Sequence, residues 1–441
     1  MKSDRVLPVA IVGGGFSGTM VAAQLARKGI ECVLIDGSGR AGHGVAYSTK
    51  EPAHVLNVRA EVMSAWPEDL EHFVKVAEAE GGTRRDFVQR RQFGRYLRAV
   101  LKEATDTGLL QLIERQALEA EPNGDGWSVQ LDNGEQVRAS ALVLAIGNQP
   151  PEPLPWGHDS SRVINNPWGG EALAAFEDLA STNEDVLLVG TGLTAVDAIL
   201  SLDAAGHRGR IVALSRRGLI PRGHTNDFVP AKFEADEMPH GHVGTLWRWL
   251  RKRSAEVGWR SAVDGMRPHS HRLWQALPLE EQKRFARHAR PWWDAHRHRI
   301  APEVAQQLHD MIAEGRLEIV AGRIQGVDET EHVLAVSYRR RGTPRISEGR
   351  FAYMINCTGP LGTIARTRDE LLKGLLADGL ARPDQLGIAL DVDERSRVAG
   401  SKRAWAMGPL TKGRYWEIIA VPDIRGQAAA VADDIAMELG R

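Results

Sequence analysis

An α/β fold made of two similar βαβ domains is what the sequence predicts, and three observations predict it. Two glycine-rich turns each stand between an apolar β run and a helical stretch. Two later apolar runs, ALVLAIGNQPP and FAYMINCTGP, end in glycine, as a parallel strand does where its backbone must come close to a ligand. Between about Arg222 and Ile300 the βα pattern is lost, which predicts a helical Trp/Arg/His-rich insertion.

From Val9 to Asp36 the run VAIVGGGFSGTMVAAQLARKGIECVLID is a strand, a glycine turn, a helix and a second strand. Gly13 permits the tight turn, Gly15 and Ser17 lie where backbone can approach a pyrophosphate, and Gly18 lets the helix pack on the strand. Asp36 closes the second strand, where a carboxylate can accept from ribose hydroxyls. A helix is expected from about Phe87 to Ala104, and a β-meander between Leu112 and Leu144, cut by NGDG and DNGE. Gly147 and Asn148 then become candidate ligand contacts at a strand end.

A second unit starts at Asp185, with the fingerprint Gly190, Gly192 and Ala195 in DVLLVGTGLTAVDAILSLDAAG. Where an NAD-specific fold ends its second strand in an acid, this chain has Ser215, Arg216 and Arg217, which favours the 2′-phosphate of NADPH over NADH. Gly359 ends the later strand of the same unit. Between Trp247 and Ile300 stand 13 Lys or Arg against 5 Asp or Glu, with six of the twelve tryptophans, so this stretch offers a local site for an anion beside flat apolar walls. Arg297 and His298 are candidates to meet a substrate there. A terminal helix is expected from near Arg425. The organisation expected is 1–160 first nucleotide domain, 161–221 and 301–360 second domain, 222–300 a cap, and 361–441 a return to the first domain.

Lys and Arg total 56 against 57 Asp and Glu, so the molecule as a whole has no field drawing it to nucleic acid or to an anionic membrane. The two cysteines, Cys32 and Cys357, lie in apolar runs, and the absence of CxxC excludes the dithiol flavoenzymes. The start MKSDRV has no signal-peptide pattern, so a cytoplasmic protein, monomer or homodimer, is expected. His296, His298 and Asp294 lie in an Arg-rich stretch without a compact three-ligand set, and no metal is expected.

Together GGGFSGTMVAAQL, GVAYST, HVLNV, RRQFGRYL, VGTGLTAVD, SRRG and AVPDIRGQA resemble a bacterial family of FAD/NAD(P)-binding proteins. That family stands among the two-dinucleotide-binding-domain flavoproteins, which include class B monooxygenases. The resemblance implies two Rossmann-type domains, with FAD on Gly13, Gly15, Gly18 and Asp36 and NAD(P)H on Gly190, Gly192, Arg216 and Arg217. It also implies that Asn57 lies near the flavin, and that the last helix, with Gln427 in its first turns, points its N-terminus at the isoalloxazine. The chain departs from the pattern in two places. GPLTKGRYWE replaces the usual Gly-Asp pair at the FAD ribitol, and PLPWGHDSSRVINNPWGG replaces the FxGxxxH signature of the Baeyer-Villiger and dimethylaniline-type branches.

The activity this implies is NAD(P)H-driven, flavin-dependent transfer of one oxygen atom from O2 to a small substrate. Urate hydroxylation and amine N-oxidation are the relatives' kinds of chemistry, and a small anionic, urate or amino-acid-like metabolite is the expected substrate. A reductase serving a quinone or protein acceptor is the enzymatic alternative. A flavin-bound regulatory or nucleic-acid module using the basic insertion is the non-enzymatic one.

Overall fold

The computed structural model describes residues 7–157, 159–225 and 228–441. The charged start MKSDRV lies outside the described residues. β1 (Val9–Val12), a helix over Phe16–Arg27 and β2 (Cys32–Ile35) form the first unit, and all eight strand residues are buried, as a parallel sheet covered on both faces requires. β3 (Leu110–Ile113) extends this sheet. β4 (Ala117–Asn123), β5 (Gly126–Leu131) and β6 (Gln136–Ala139) form the expected antiparallel meander, and β7 (Ala141–Leu144) returns to pair with β1.

β8 (Val163–Ile164), β9 (Val186–Val189) and β10 (Ile211–Ser215) begin a second sheet. The long β11 (Leu317–Glu329) joins it in parallel, β12 (Leu334–Arg340) and β13 (Ile346–Phe351) add antiparallel, and β14 (Tyr353–Asn356) inserts beside β9. The last strand, β15 (Ala404–Ala406), goes back to the first sheet. The strand orders are therefore β15-β7-β1-β2-β3 and β13-β12-β11-β10-β9-β14-β8. In each sheet the order reverses beside the strand that carries the glycine turn, between β1 and β7 and between β9 and β14. A crevice opens at such a switch point at the carboxyl ends of the strands.

Three boundaries differ from the sequence reading. The long helix runs Arg90–Asp106, because Gln89 pairs with Val55 in an antiparallel bridge and is held extended. The terminal helix starts at Val421, with Pro422 in its first turn, where a missing N–H costs nothing. In the insertion the helices begin only at Val243; Pro230, Pro239 and Gly241 fall in the irregular stretch before it.

The two sheets are tied by a buried pair. Arg90 donates to both carboxylate oxygens of Asp197 at 2.8 and 2.9 Å, and His54 Nε2 lies 3.0 Å from the Asp197 carbonyl oxygen. Three of the motif strings, HVLNV, RRQFGRYL and VGTGLTAVD, thus meet at one latch between the domains. Both cysteines are free and buried, and burial pushes both thiols up, Cys32 to about 12. No helix among the described residues is long and apolar enough to cross a membrane, and no group of three His, Cys, Asp or Glu is placed to hold a metal ion.

Candidate functional site

The two glycine turns are built alike. Gly13 follows β1 with φ +103°, and a Cβ there would lie 2.5 Å from the carbonyl oxygen of Ala145, just past β7. Gly190 follows β9 with φ +131°, and a Cβ there would strike the carbonyl oxygen of Cys357, just past β14. Gly147 and Gly359, both at positive φ, stand two residues beyond those carbonyls, and Asn148 follows the first. One device is used twice: a glycine turn pressed on the end of its parallel neighbour. Gly18 is needed for packing, since a Cβ would collide with the Gly13 carbonyl oxygen.

Gly15 and Gly192 serve otherwise. A Cβ at Gly192 would meet nothing within 4 Å, and one at Gly15 only the Gly44 Cα at 3.7 Å. Each precedes a helix, Phe16–Arg27 or Leu193–Ala204, with no side-chain cap, so first-turn amides face open space and favour an anion. Asp36 accepts from the N–H groups of Gly14 at 2.6 Å and Ser38 at 2.9 Å, which fastens the turn. Ser17 is buried against Gly408 of the C-terminal segment. Nearby, Arg40 Nε and His43 Nδ1 are buried with no hydrogen-bond partner among the described residues.

At the second turn Ser215 lies 2.9 Å from the Thr191 hydroxyl and accepts from the Gly218 N–H at 3.0 Å, so it shapes the loop that presents Arg216 and Arg217. Arg216 is exposed. Burial, then Arg216 and Arg341, hold the Arg217 pKa below its ordinary value, as in a cation cluster short of an anion. Arg341 comes from the far end of β12, 124 residues on.

The strand-end loops meet: Leu361 N–H donates to the Gln149 carbonyl at 3.2 Å. Lys412, in the GPLTKGRYWE stretch, reaches the Leu361 carbonyl at 3.4 Å, and burial with Arg290 nearby brings its pKa down to about 8. Gln427 accepts from the Gly408 N–H at 2.8 Å and donates to Ser396 and Thr411 at 3.0 Å each, which clamps the terminal helix to that stretch.

The insertion packs on the same stretch. Trp274 donates to the Gly413 carbonyl at 2.8 Å and stacks on Trp416 with ring centres 4.6 Å apart. Beside this pair lies a small apolar cleft of about 60 Å³, walled by Trp247, Trp274, Trp293, Trp416 and Phe285. Arg297 donates to Glu417 at 3.1 Å, and Trp293 donates to the same buried carboxylate. His298 stands 3.7 Å from Asp294, and burial lowers its pKa. The Asn57 carbonyl oxygen lies 2.9 Å from His224 Nε2 at the insertion's edge.

A family model described as FAD-NAD(P)-binding matches residues 10–149. That span is an FAD/NAD(P)-binding domain. A Baeyer-Villiger monooxygenase, ATR8, of Stachybotrys chlorohalonatus (strain IBT 40285) is 28% identical over 207 residues, 44% of this chain, and the match spans only 31% of that protein's length. Among solved structures, L-lysine 6-monooxygenase from Pseudomonas syringae superposes with a TM-score of 0.68 at 16% identity, over 98% of this chain and 99% of that one. Ornithine hydroxylase (PvdA) from Pseudomonas aeruginosa gives 0.67 at 15%, over 98% and 100%. The fold is that of the two-dinucleotide-binding-domain flavoproteins.

The FAD/NAD(P)-binding domain fits its cofactor: a glycine cradle without room for side chains at Gly13 and Gly18, open space at Gly15, an uncapped helix N-terminus and unpartnered buried donors on Arg40 and His43. Gly13, Gly15, Gly18 and Asp36 come together here, with Gly147 and Asn148 across the β1/β7 crevice. Gly190, Gly192, Gly359, Arg216 and Arg217 gather at the second crevice. The sequence reading missed Arg341, Lys412 and Glu417, none of which lies in a motif that marks it. Glu417 was within reach of a charge argument, as one acid in a stretch facing a basic insertion.

Proposed function

We propose that this chain is an NAD(P)H-dependent flavin monooxygenase that hydroxylates or N-oxidises a small anionic metabolite, urate or amino-acid-like. The observation that carries the reading is the joining of the two crevices: the Gly147–Gln149 and Gly359–Leu361 loops touch, so a hydride donor on one sheet and its acceptor on the other share one junction. Bound FAD supplies hydride acceptance and oxygen activation; the chain orients the partners and excludes water. Arg216 and Arg217, with Arg341, hold the 2′-phosphate of NADPH. The insertion, seated on Gly413 and Trp416, covers the substrate side, and its tryptophans keep that side dry. Asn57 lies on the flavin side of the junction. Arg297 and His298 face the substrate side; because Arg297 is engaged by Glu417, its part is to position that wall.

The test is mass spectrometry of the FAD-loaded protein with NADPH under 18O2, offered urate and a panel of amino acids. Product heavier by one 18O atom is expected. NADPH oxidation that yields only hydrogen peroxide with every compound, or that proceeds without O2 when a quinone is present, would overturn the reading.

A further inference from the structure

We infer that Arg299, with Arg260 beside it, is the receptor for a carboxylate group of the substrate. The inference rests on the monooxygenase reading for the word substrate, but the site stands on its own geometry. Arg299 is 2% exposed, and of its guanidinium nitrogens Nε and Nη1 have no hydrogen-bond partner among the described residues. Asp264 accepts only from Nη2. One N–H on Nε and two on Nη1 are left unpaired, while buried arginines as a rule have their donors satisfied. The neighbouring Arg297 is paired with Glu417 and Arg299 with Asp264, but of the two it is Arg299 that keeps Nε and Nη1 unpaired.

The surroundings raise the positive potential further. Gly223 pairs in parallel with Ile300, and the N–H of His224 donates to the Ile300 carbonyl at 2.9 Å, which sets residues 222–224 alongside Arg299. Arg260 Nη2 donates to the Gly223 carbonyl at 3.0 Å and lies over the Trp259 ring at 4.3 Å. The Arg299 guanidinium faces the same ring at 5.8 Å and Phe228 at 5.3 Å. His224 is held neutral, its pKa lowered to about 4 by burial and then by Arg299, with Arg59 and Arg260 adding. Among the described residues, Asp264 is the acid that opposes these cations at Arg299.

A buried guanidinium with flat aromatic neighbours and a single carboxylate on one edge is complementary to a second planar, singly charged anion. A carboxylate meets that description, and a neutral amide of the same shape lacks the charge. The place suits a substrate group: His224 contacts Asn57, so the cluster lies where the insertion meets the FAD-binding half.

The test needs neither NADPH nor O2. Acetate and benzoate, each against its neutral amide, are titrated into FAD-loaded protein by calorimetry and by thermal melting. At least one carboxylate should bind tenfold or more tightly than its amide and raise the melting temperature. Arg299→Gln should remove that difference, Arg299→Lys should keep part of it, and Arg287→Gln, an exposed change in the same insertion, should leave it intact. Because Arg299→Gln also leaves Asp264 without its cation, the melting temperature of each variant without ligand serves as its own baseline for the carboxylate-induced rise. Should Arg299→Gln fail to hold FAD, Arg260→Gln replaces it and should weaken carboxylate binding severalfold. Absence of carboxylate preference in the parent, or its persistence in Arg299→Gln, overturns the inference. Carboxylate binding without 18O transfer to any compound would sink only the oxygenation reading.

Discussion

At the scale of single residues the glycines separate into two kinds, and mutation should tell them apart. A Cβ at Gly18 collides with backbone, so Gly18→Ala should destabilise the first domain, by about 2 kcal/mol or more on the scale of overpacked sites. A Cβ at Gly15 meets only the Gly44 Cα at 3.7 Å, so Gly15→Val should fold and yet purify colourless, its side chain filling pyrophosphate space. Absorbance at flavin wavelengths, read beside circular dichroism, checks both. His224 makes a second residue-scale prediction. Its folded pKa near 4 lies below the ordinary 6.5, so between those values the unfolded chain binds the extra proton. Stability should therefore fall as pH drops from about 6.5 towards 4, with His224 contributing at most about 1.4 kcal/mol per pH unit. Urea unfolding of His224→Gln across that range should show a shallower slope than the parent; equal slopes would contradict the assignment.

At the scale of elements, the end of β10 carries Arg216 and Arg217, and a nucleotide preference is predicted from them. Ser215 is spent on Thr191 and Gly218, Arg216 after it is exposed, and Arg217 donates only long contacts, at 3.4 and 3.5 Å, to the carbonyls of Arg287 and His288. Arg216→Ala with Arg217→Ala should erase a preference for NADPH over NADH in flavin reduction, a loss of about 1 to 3 kcal/mol, or roughly tenfold to a hundredfold. Stopped-flow reduction with both nucleotides measures it, and a parent that prefers NADH would refute it. The glycine turn, the strand end and the adjacent arginines were legible in the chain, because each is a local signal. Arg341 was not. It joins the pair only because β10 lies parallel to β11 and β11 folds back on β12, pairings that no local window carries.

At the scale of the whole molecule, the latch between Arg90 and Asp197 joins the two sheets. Both side chains are nearly buried, so Arg90→Gln leaves a carboxylate short of its partner and should cost about 3 to 5 kcal/mol, while losing both charges together should cost much less. Calorimetric melting of the single and double variants provides the comparison. Uncoupling of the domains should show as two transitions in the single variant, because each sheet keeps its own core.

The sequence by itself determined the two βαβ units, the strand-end glycines, the paired arginines after β10 and the basic, tryptophan-rich insertion. Each is written in a short window by periodicity or by a glycine whose backbone has no alternative. It could not decide which arginine of RHR keeps buried donors unpaired. Arg297 and Arg299 are equivalent as letters, and His298 between them is another plausible contact. The tertiary structure separates them: Glu417, delivered from the C-terminal segment, neutralises Arg297, while Arg299 turns to Asp264 and Phe228 and keeps unpaired donors. Charge pairing in a buried site depends on which distant segment arrives beside each side chain, and that is fixed only when the sheets and the insertion have packed.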